Sequence, residues 1–208
     1  MRGVTESSQA TPAEFDVALA EAAAWAGAGP EGIGETPVGP PVEERLDIEG
    51  DDPAVALRRT LGMFATGVTV ITTLASEQIH GMTANAFMSV SLEPPLVLIS
   101  VDRRTKMCSL LHQECSFGVN VLADDQRLLS DRFAGRASDD APEPSFALVH
   151  DTPIVEGAAA HFVARVDRSY WGGDHSLFLG RVEYARFMPD ARPLLFHGGQ
   201  YGQLTGGQ

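Results

Sequence analysis

Three stretches of this sequence concentrate side chains whose types and spacing can do chemistry. The first is Gly81-Met82-Thr83-Ala84-Asn85-Ala86-Phe87-Met88-Ser89-Val90-Ser91, closed by Pro94-Pro95. A strand crowded with Thr, Ala, Asn and Ser leaves its backbone N–H and C=O groups approachable. A planar, heteroatom-rich ring could lie against it and be read by main-chain hydrogen bonds, and a second element covering the same face would suit the composition equally. The second stretch, Ser100-Val101-Asp102-Arg103-Arg104-Thr105-Lys106, reads as a strand end running into a helix start. Free N–H groups and the helix dipole attract anions there, and three cationic side chains add charge. A phosphate or pyrophosphate is a reasonable guest, with a solvated surface turn as the plainer alternative. The third is Gly172-Gly173-Asp174-His175-Ser176-Leu177-Phe178-Leu179-Gly180-Arg181-Val182, with Pro193-Leu194-Leu195-Phe196-His197-Gly198-Gly199-Gln200-Tyr201 after it. Each places a His beside glycines at a strand edge, which suits a ligand or an ordinary turn.

Other patterns carry less. Gly27-Ala28-Gly29-Pro30-Glu31-Gly32 matches G-x-G-x-x-G, but no strand precedes it and a Pro/Gly-rich stretch follows, so a dinucleotide fold is not indicated. The six histidines (His80, His112, His150, His161, His175 and His197) lack the paired spacing of a metal site, and no metal is expected. Cys108 and Cys115 read as small buried apolar residues. Ser100 and Ser130 have no nucleophile-elbow context.

The elements that must position these stretches follow from pattern. Asp52 caps a helix with Pro53 at its first position, Ala54, Leu57, Leu61 and Phe64 mark one face, and Gly67 ends it. Residues 68–74 are β-branched and extended, with a turn at Glu77-Gln78. Residues 81–91 form a second extended stretch and residues 96–101 a short apolar strand. A helix over 105–113, a strand over 116–122 and a helix over 124–133 capped by Asp124 come next. Residues 137–144 form a polar loop. Two long strands, 159–170 and 176–187, flank the turn Gly172-Gly173-Asp174. Short strands dominate and helices are few, which predicts a mainly β fold: a closed antiparallel barrel with helical excursions.

The 208 residues suffice for one domain and a surplus of about fifty. The net charge is -13, and the first 52 residues hold 12 acids against 2 bases. Residues 1–52 thus read as an acidic, Gly/Pro-rich extension with one short helix over 12–26, and 53–208 as the folded domain. Neither part has the basic surplus of a nucleic-acid binder. No apolar run approaches the ~18 residues of a membrane span, and residues 1–10 lack a signal-peptide pattern. A reducing, cytoplasmic setting is expected.

Taken in order, the sequence resembles the flavin reductase-like family, the small reductase components of two-component, flavin-diffusible monooxygenases. The likeness rests on Thr66-Gly67-Val68-Thr69-Val70-Ile71-Thr72-Thr73, the Gly81 to Pro95 series, Phe117-Gly118-Val119-Asn120-Val121-Leu122, Gly-Asp-His at 173–175, and residues 193–201. It covers about 54–205. The resemblance implies an FMN-binding split β-barrel of antiparallel Greek-key type, a homodimer, and flavin near the subunit interface. By position it implies that Thr83, Ala84, Asn85 and Ala86 line the flavin ring. It places the ribityl phosphate at Ser100, Val101, Asp102, Arg103, Arg104, Thr105, Lys106 and Met107, with Thr105 and Lys106 as ligands and Asn120 and Phe133 nearby. His175, as the catalytic-site histidine, and the stretch His197, Gly198, Gly199 and Tyr201 would shape the nicotinamide site. The family often has Arg where Gln200 stands. The implied activity is reduction of FMN or FAD by NADH or NADPH, with reduced flavin passed to a partner monooxygenase. A flavin-retaining oxidase or oxygenase of this fold and a non-catalytic flavin-binding electron carrier are the alternatives.

Overall fold

The computed structural model describes residues 48–49, 52–138 and 143–205. The expected helix over 12–26, and all but residues 48, 49 and 52 of the expected extension, lie outside the described residues. The chain enters through α1 (Pro53–Leu61) and β1 (Thr66–Gly67), then β2 (Thr69–Ala75), β3 (Gln78–Ala84), β4 (Phe87–Leu92) and β5 (Pro95–Asp102). Next come α2 (Lys106–Glu114), β6 (Ser116–Val121), α3 (Arg127–Phe133), β7 (Phe146–Val149) and β8 (Thr152–Val155). The long strands β9 (Ala160–Gly172) and β10 (His175–Phe187) precede β11 (Leu195–His197) and β12 (Gln200–Gly202).

Seven strands form one sheet in the order β3-β2-β6-β9-β10-β5-β4, every neighbouring pair antiparallel. Its two edge strands, β3 and β4, are consecutive in the chain, with only Asn85 and Ala86 between them. Three peptide steps span at most about 11 Å, so the sheet must curl until its edges meet. Side chains confirm the curl: Ile71 of β2, Phe117 and Val119 of β6, Ala164 of β9, Phe178 of β10 and Val97, Ile99 and Val101 of β5 share one buried cluster. Met107, Cys108 and Leu111 of α2 join that cluster, and α2 packs on β2, β3 and β5, closing one end of the barrel. Each fully buried Phe or Leu here stabilises by roughly 1.5–3 kcal/mol. This is the mainly β split barrel that the sequence led us to expect.

A second cluster lies outside the barrel wall. Val68, Val70, Leu122, Leu129, Val155 and Leu194 are its core, with Phe133, Phe146, Phe196 and Tyr201 packed around them. It is covered by α3, the β7–β8 hairpin and the small sheet β1-β11-β12. The pattern reading did not find those five short strands.

Several local expectations are corrected. α1 ends at Gly62, while Gly67 belongs to β1, and none of the residues of α1 is buried. Residues 81–91 are two strands, because the chain leaves one sheet edge at Ala84 and joins the other at Phe87. The first hairpin turns at Ser76 and Glu77, both left-handed (φ 49° and 63°), and Gln78 already pairs with Ala75. Asp124 does not cap α3. That helix starts at Arg127, and Asp124 instead pairs with Arg192 at 3.0 Å. Cys108 is buried as expected, but Cys115 is exposed, in the left-handed position that ends α2.

Candidate functional site

The Thr, Ala and Asn-rich stretch becomes the seam of the barrel. Thr83 and Ala84 end β3, and Asn85 and Ala86 cross the seam with their side chains exposed. Ser100 N donates to Ala86 O at 3.1 Å, which fastens the crossing to β5. On the other side, Thr69 Oγ1 donates to Ala84 O at 2.6 Å. The hydroxyl of Thr83 donates to Ser130 O of α3 at 2.7 Å, so it faces the helix and not the crossing. What a ligand meets here is an exposed main-chain segment between two anchored strands.

The basic turn follows directly from β5. Thr105 caps α2, accepting from Cys108 N at 3.3 Å while its hydroxyl donates to Asp102 O at 2.7 Å. The turn is less positive than its sequence implies. Arg104 grips Asp102 through Nε (3.1 Å) and Nη2 (2.6 Å), and its backbone N–H donates to the same carboxylate at 2.9 Å. Those bonds hold the Asp102 carboxyl down to about 2. Arg103 lies over the half-exposed Trp171 ring at 4.7 Å. Lys106, exposed at the first position of α2, is left as the cation facing outward. Val101 and Met107 are buried in the barrel core, so only their main chain can serve a ligand.

The β9–β10 hairpin brings the Gly-Asp-His segment to this turn. His175 stands opposite Asp102 in the β10–β5 ladder, and Arg103 N donates to Asp174 O at 3.1 Å. His175 Nδ1 is 2.7 Å from Asp174 Oδ1. An ionised carboxylate only accepts, so in this contact Nδ1 carries the proton, and the hydrogen bond in turn lowers the Asp174 carboxyl below its ordinary value. Nε2 is then the nitrogen left to meet a ligand.

The second half of the third stretch goes elsewhere. His197, Gly198 and Gly199 form the exposed tip of the β11–β12 hairpin, where φ of +58° and +81° at the two glycines makes the turn. Its fastenings run to Gly62, whose carbonyl accepts from Gly198 N at 2.8 Å, and through Tyr201 to α3. They do not run to His175. The Tyr201 hydroxyl is within 2.8 Å of Ser130 Oγ and donates to Asp131 Oδ1 at 3.1 Å.

Asn120 is spent on the protein's own hydrogen bonds. It is wholly buried, donates to Val70 O (2.8 Å) and Thr72 Oγ1 (3.1 Å), and accepts from Val155 N (2.7 Å) and His161 Nδ1 (3.2 Å). Its amide is fully used in joining β2, β6, β8 and β9. Phe133 belongs to the second cluster, with its ring against the backbone of Gly81, where a Cβ would come within 2.5 Å of it.

Sequence reasoning missed four contributors. Trp171 under Arg103 carries no motif. Ser130 and Asp131, which receive Tyr201, look like ordinary helix residues. His80 sits close enough to Lys106 that the ammonium, after burial, helps lower its imidazole below the usual value. Among the described residues no three His, Cys, Asp or Glu side chains gather as a metal site, and no helix is long and apolar enough to cross a membrane.

The donor set, an exposed main-chain crossing beside a cationic helix start and a histidine, fits a planar ring that carries a phosphate. Comparison with known proteins points the same way. The family model described as flavin reductase like domain matches residues 61–205. A protein of a Rhodococcus species called NADH-dependent flavin reductase is 43% identical over 159 residues, 74% of this chain and 89% of that one. The reductase component of 4-hydroxyphenylacetate 3-monooxygenase from Thermus thermophilus is 38% identical over 150 residues, covering 72% and 96%. Among solved structures, an NADH:FAD oxidoreductase of Streptomyces globisporus in complex with NAD and FAD fragments superposes with a TM-score of 0.70 at 40% identity, covering 76% of this chain and 97% of that one.

Proposed function

The chain belongs to the flavin reductase-like family, and from that premise we propose that it is an NADH-dependent flavin reductase that supplies reduced flavin to a partner monooxygenase. The observation that carries the proposal is the meeting of the Asn85–Ala86 crossing, the 102–106 turn and His175 at one end of β5. Hydride passes from the reduced nicotinamide to the flavin ring, chemistry that the two molecules bring with them.

The chain's own work is placement. The main chain of Asn85 and Ala86, with Thr83 and Ala84 behind it, supports the ring. Lys106 and the first turn of α2 hold the phosphate, with Thr105 fixing the turn through its bonds to Asp102 and Cys108 and with Ser100, Arg103 and Arg104 around them. His175 offers Nε2 to the nicotinamide side, held by Asp174. The tip at His197, Gly198 and Gly199 lies outside this set within one chain. A second copy could bring it to the site, and the homodimer is part of this reading. Exposed Leu61 at the end of α1, Met63 and Phe64 just beyond it, and Met88, Val90 and Leu92 along β4 offer apolar surface for it. A reducing cytoplasm supplied with NADH is the compartment this activity needs.

The test is steady-state NADH oxidation by the purified protein with and without free FMN or FAD. Loss of NADH absorbance that requires added flavin, and release of flavin on dilution, is the expected result. No flavin-dependent oxidation refutes the reading, and retained flavin points to an oxidase instead.

A further inference from the structure

Tyr201 stands in the region that the resemblance assigns to the nicotinamide, yet its hydroxyl turns inward. It meets Ser130 Oγ at 2.8 Å and Asp131 Oδ1 at 3.1 Å, with the Arg127 guanidinium over its ring at 5.1 Å and the Phe196 ring at 5.5 Å. Ser130 is fully buried, and its carbonyl accepts the Thr83 hydroxyl at 2.7 Å. One residue of α3 is thus bonded through its side chain to β12 and through its main chain to β3. A second contact follows one turn along, where Phe133 lies against Gly81 so closely that no Cβ fits between them.

The place where these bonds arrive gives them meaning. β3 is an edge strand paired only with β2, so no ladder fixes its outer side. Its last residues, Thr83 and Ala84, lead straight into the exposed Asn85–Ala86 crossing. The β2 ladder and the Thr69 hydroxyl hold the inner side of the end of β3, and Ser100 N holds Ala86 beyond it, so α3 adds the side-chain fastening at Thr83 that limits fraying of an edge strand. α3 is itself short, starts without a side-chain cap, and depends on Tyr201 and the second cluster for its seat.

We propose that Tyr201 is a positioning residue for flavin, acting through Ser130 and Thr83 to fix the Asn85–Ala86 crossing. The inference rests on the proposed function, because it assigns that crossing to the ring. It also links the β11–β12 hairpin to the flavin strand, so that whatever settles on the hairpin tip bears on the ring through a hydrogen-bonded path.

The test is a double-mutant cycle read by flavin affinity and by the pre-steady-state reduction rate. Tyr201→Phe and Thr83→Val each remove one link while keeping shape, and each should weaken FMN binding about three- to tenfold and slow flavin reduction by NADH. Because both act through one path, the double variant should be no weaker than the more affected single one. Thr83→Ser keeps the hydroxyl and should restore parental affinity. Additive losses, or parental affinity in both single variants, overturn the proposal. Thermal midpoints measured on the parent and all four variants keep loss of fold separate from loss of positioning. If the parent itself binds neither FMN nor FAD, the proposed function has failed, a result plainly different from variants that bind as the parent does.

Discussion

Replacing Asn120 with Ala separates the two roles that sequence and structure give it. The resemblance places this residue near the flavin, whereas the structure encloses it and uses its whole amide. Truncation leaves the Val155 N–H and the His161 Nδ1–H buried without their acceptor, and Val70 O and Thr72 Oγ1 lose a donor. A buried donor left unsatisfied costs about 1–3 kcal/mol. Two of them, with some relief from relaxation around His161, give a loss of about 3 kcal/mol. For a chain of this size each kcal/mol moves the thermal midpoint by about 2–4 °C, so a fall of roughly 6–12 °C is expected. Flavin titration well below that midpoint should return the parental affinity within about twofold. Calorimetry and fluorescence titration of one preparation measure both. An unchanged midpoint with flavin affinity reduced tenfold would show that Asn120 serves the ligand, and the reasoning from its hydrogen bonds would be wrong.

Lys106→Met should weaken FMN binding about tenfold, since one charge-assisted hydrogen bond contributes roughly 1.5–3 kcal/mol, and Thr105→Ala, which removes the cap of α2 and loosens the turn, should weaken it less; equal titrations of both variants and the parent would place the phosphate elsewhere. Asp102→Asn keeps the oxygen that receives Arg104 N but removes the charge that neutralises the guanidinium, so FMN should bind about three- to tenfold more tightly at low salt, checked by titration at two ionic strengths. His175→Ala should slow reduction and raise the apparent KM for NADH by about ten- to a hundredfold with flavin affinity nearly unchanged, and stopped-flow reduction of the flavin-loaded variant that matches the parent would leave it a structural residue. Burial lowers the imidazoles of His161, His112 and His80 below the ordinary 6.5, so the unfolded chain takes up protons first as pH falls. Their contribution to stability is complete above about pH 6.5 and declines below it, and urea midpoints between pH 8 and 5 should show that decline, weakened in a His161→Gln variant.

What the sequence disclosed, and what it hid, divides along physical lines. The cap of α1 was legible, because Asp52 acts on amides two and three residues away, whereas Thr105, expected inside the next helix, caps it instead. The β-branched run of β2 and the two long strands were legible for the same local reason. The split at Asn85–Ala86 was not, because a strand passing from one sheet edge to the other keeps its alternation on both sides. The β7–β8 hairpin and the β1-β11-β12 sheet consist of two- to four-residue strands, too short for any period to register. Within the site, Gly-Asp-His and the basic turn were visible as types. That Arg103 would lie over Trp171 and that Asn120 would join four strands depend on side chains brought together over long sequence separations, whereas the grip of Arg104 on Asp102, two residues away, turns on the local shape of the turn.

That redistribution of charge bears on how a reductase of this kind must work. A product handed to another enzyme has to leave, so its site cannot hold it with every group the sequence offers. Of the three cations at the turn, Arg104 is engaged by a carboxylate that stays ionised down to about pH 2, and Arg103 by an aromatic face. The exposed Lys106 and the first turn of α2 remain for the phosphate. A single charge-assisted contact gives about 1.5–3 kcal/mol, a modest part of the roughly 8 kcal/mol that a micromolar complex needs. The rest must come from the ring against the Asn85–Ala86 crossing, so the precision of that crossing governs affinity and turnover together. The effort visible in the fold is spent there: a hydrogen bond from Ser100, a helix braced by Tyr201, and a glycine that admits the Phe133 ring. An additional phosphate clamp would slow release, whereas a firmer crossing helps the ring meet the nicotinamide without holding the product afterwards.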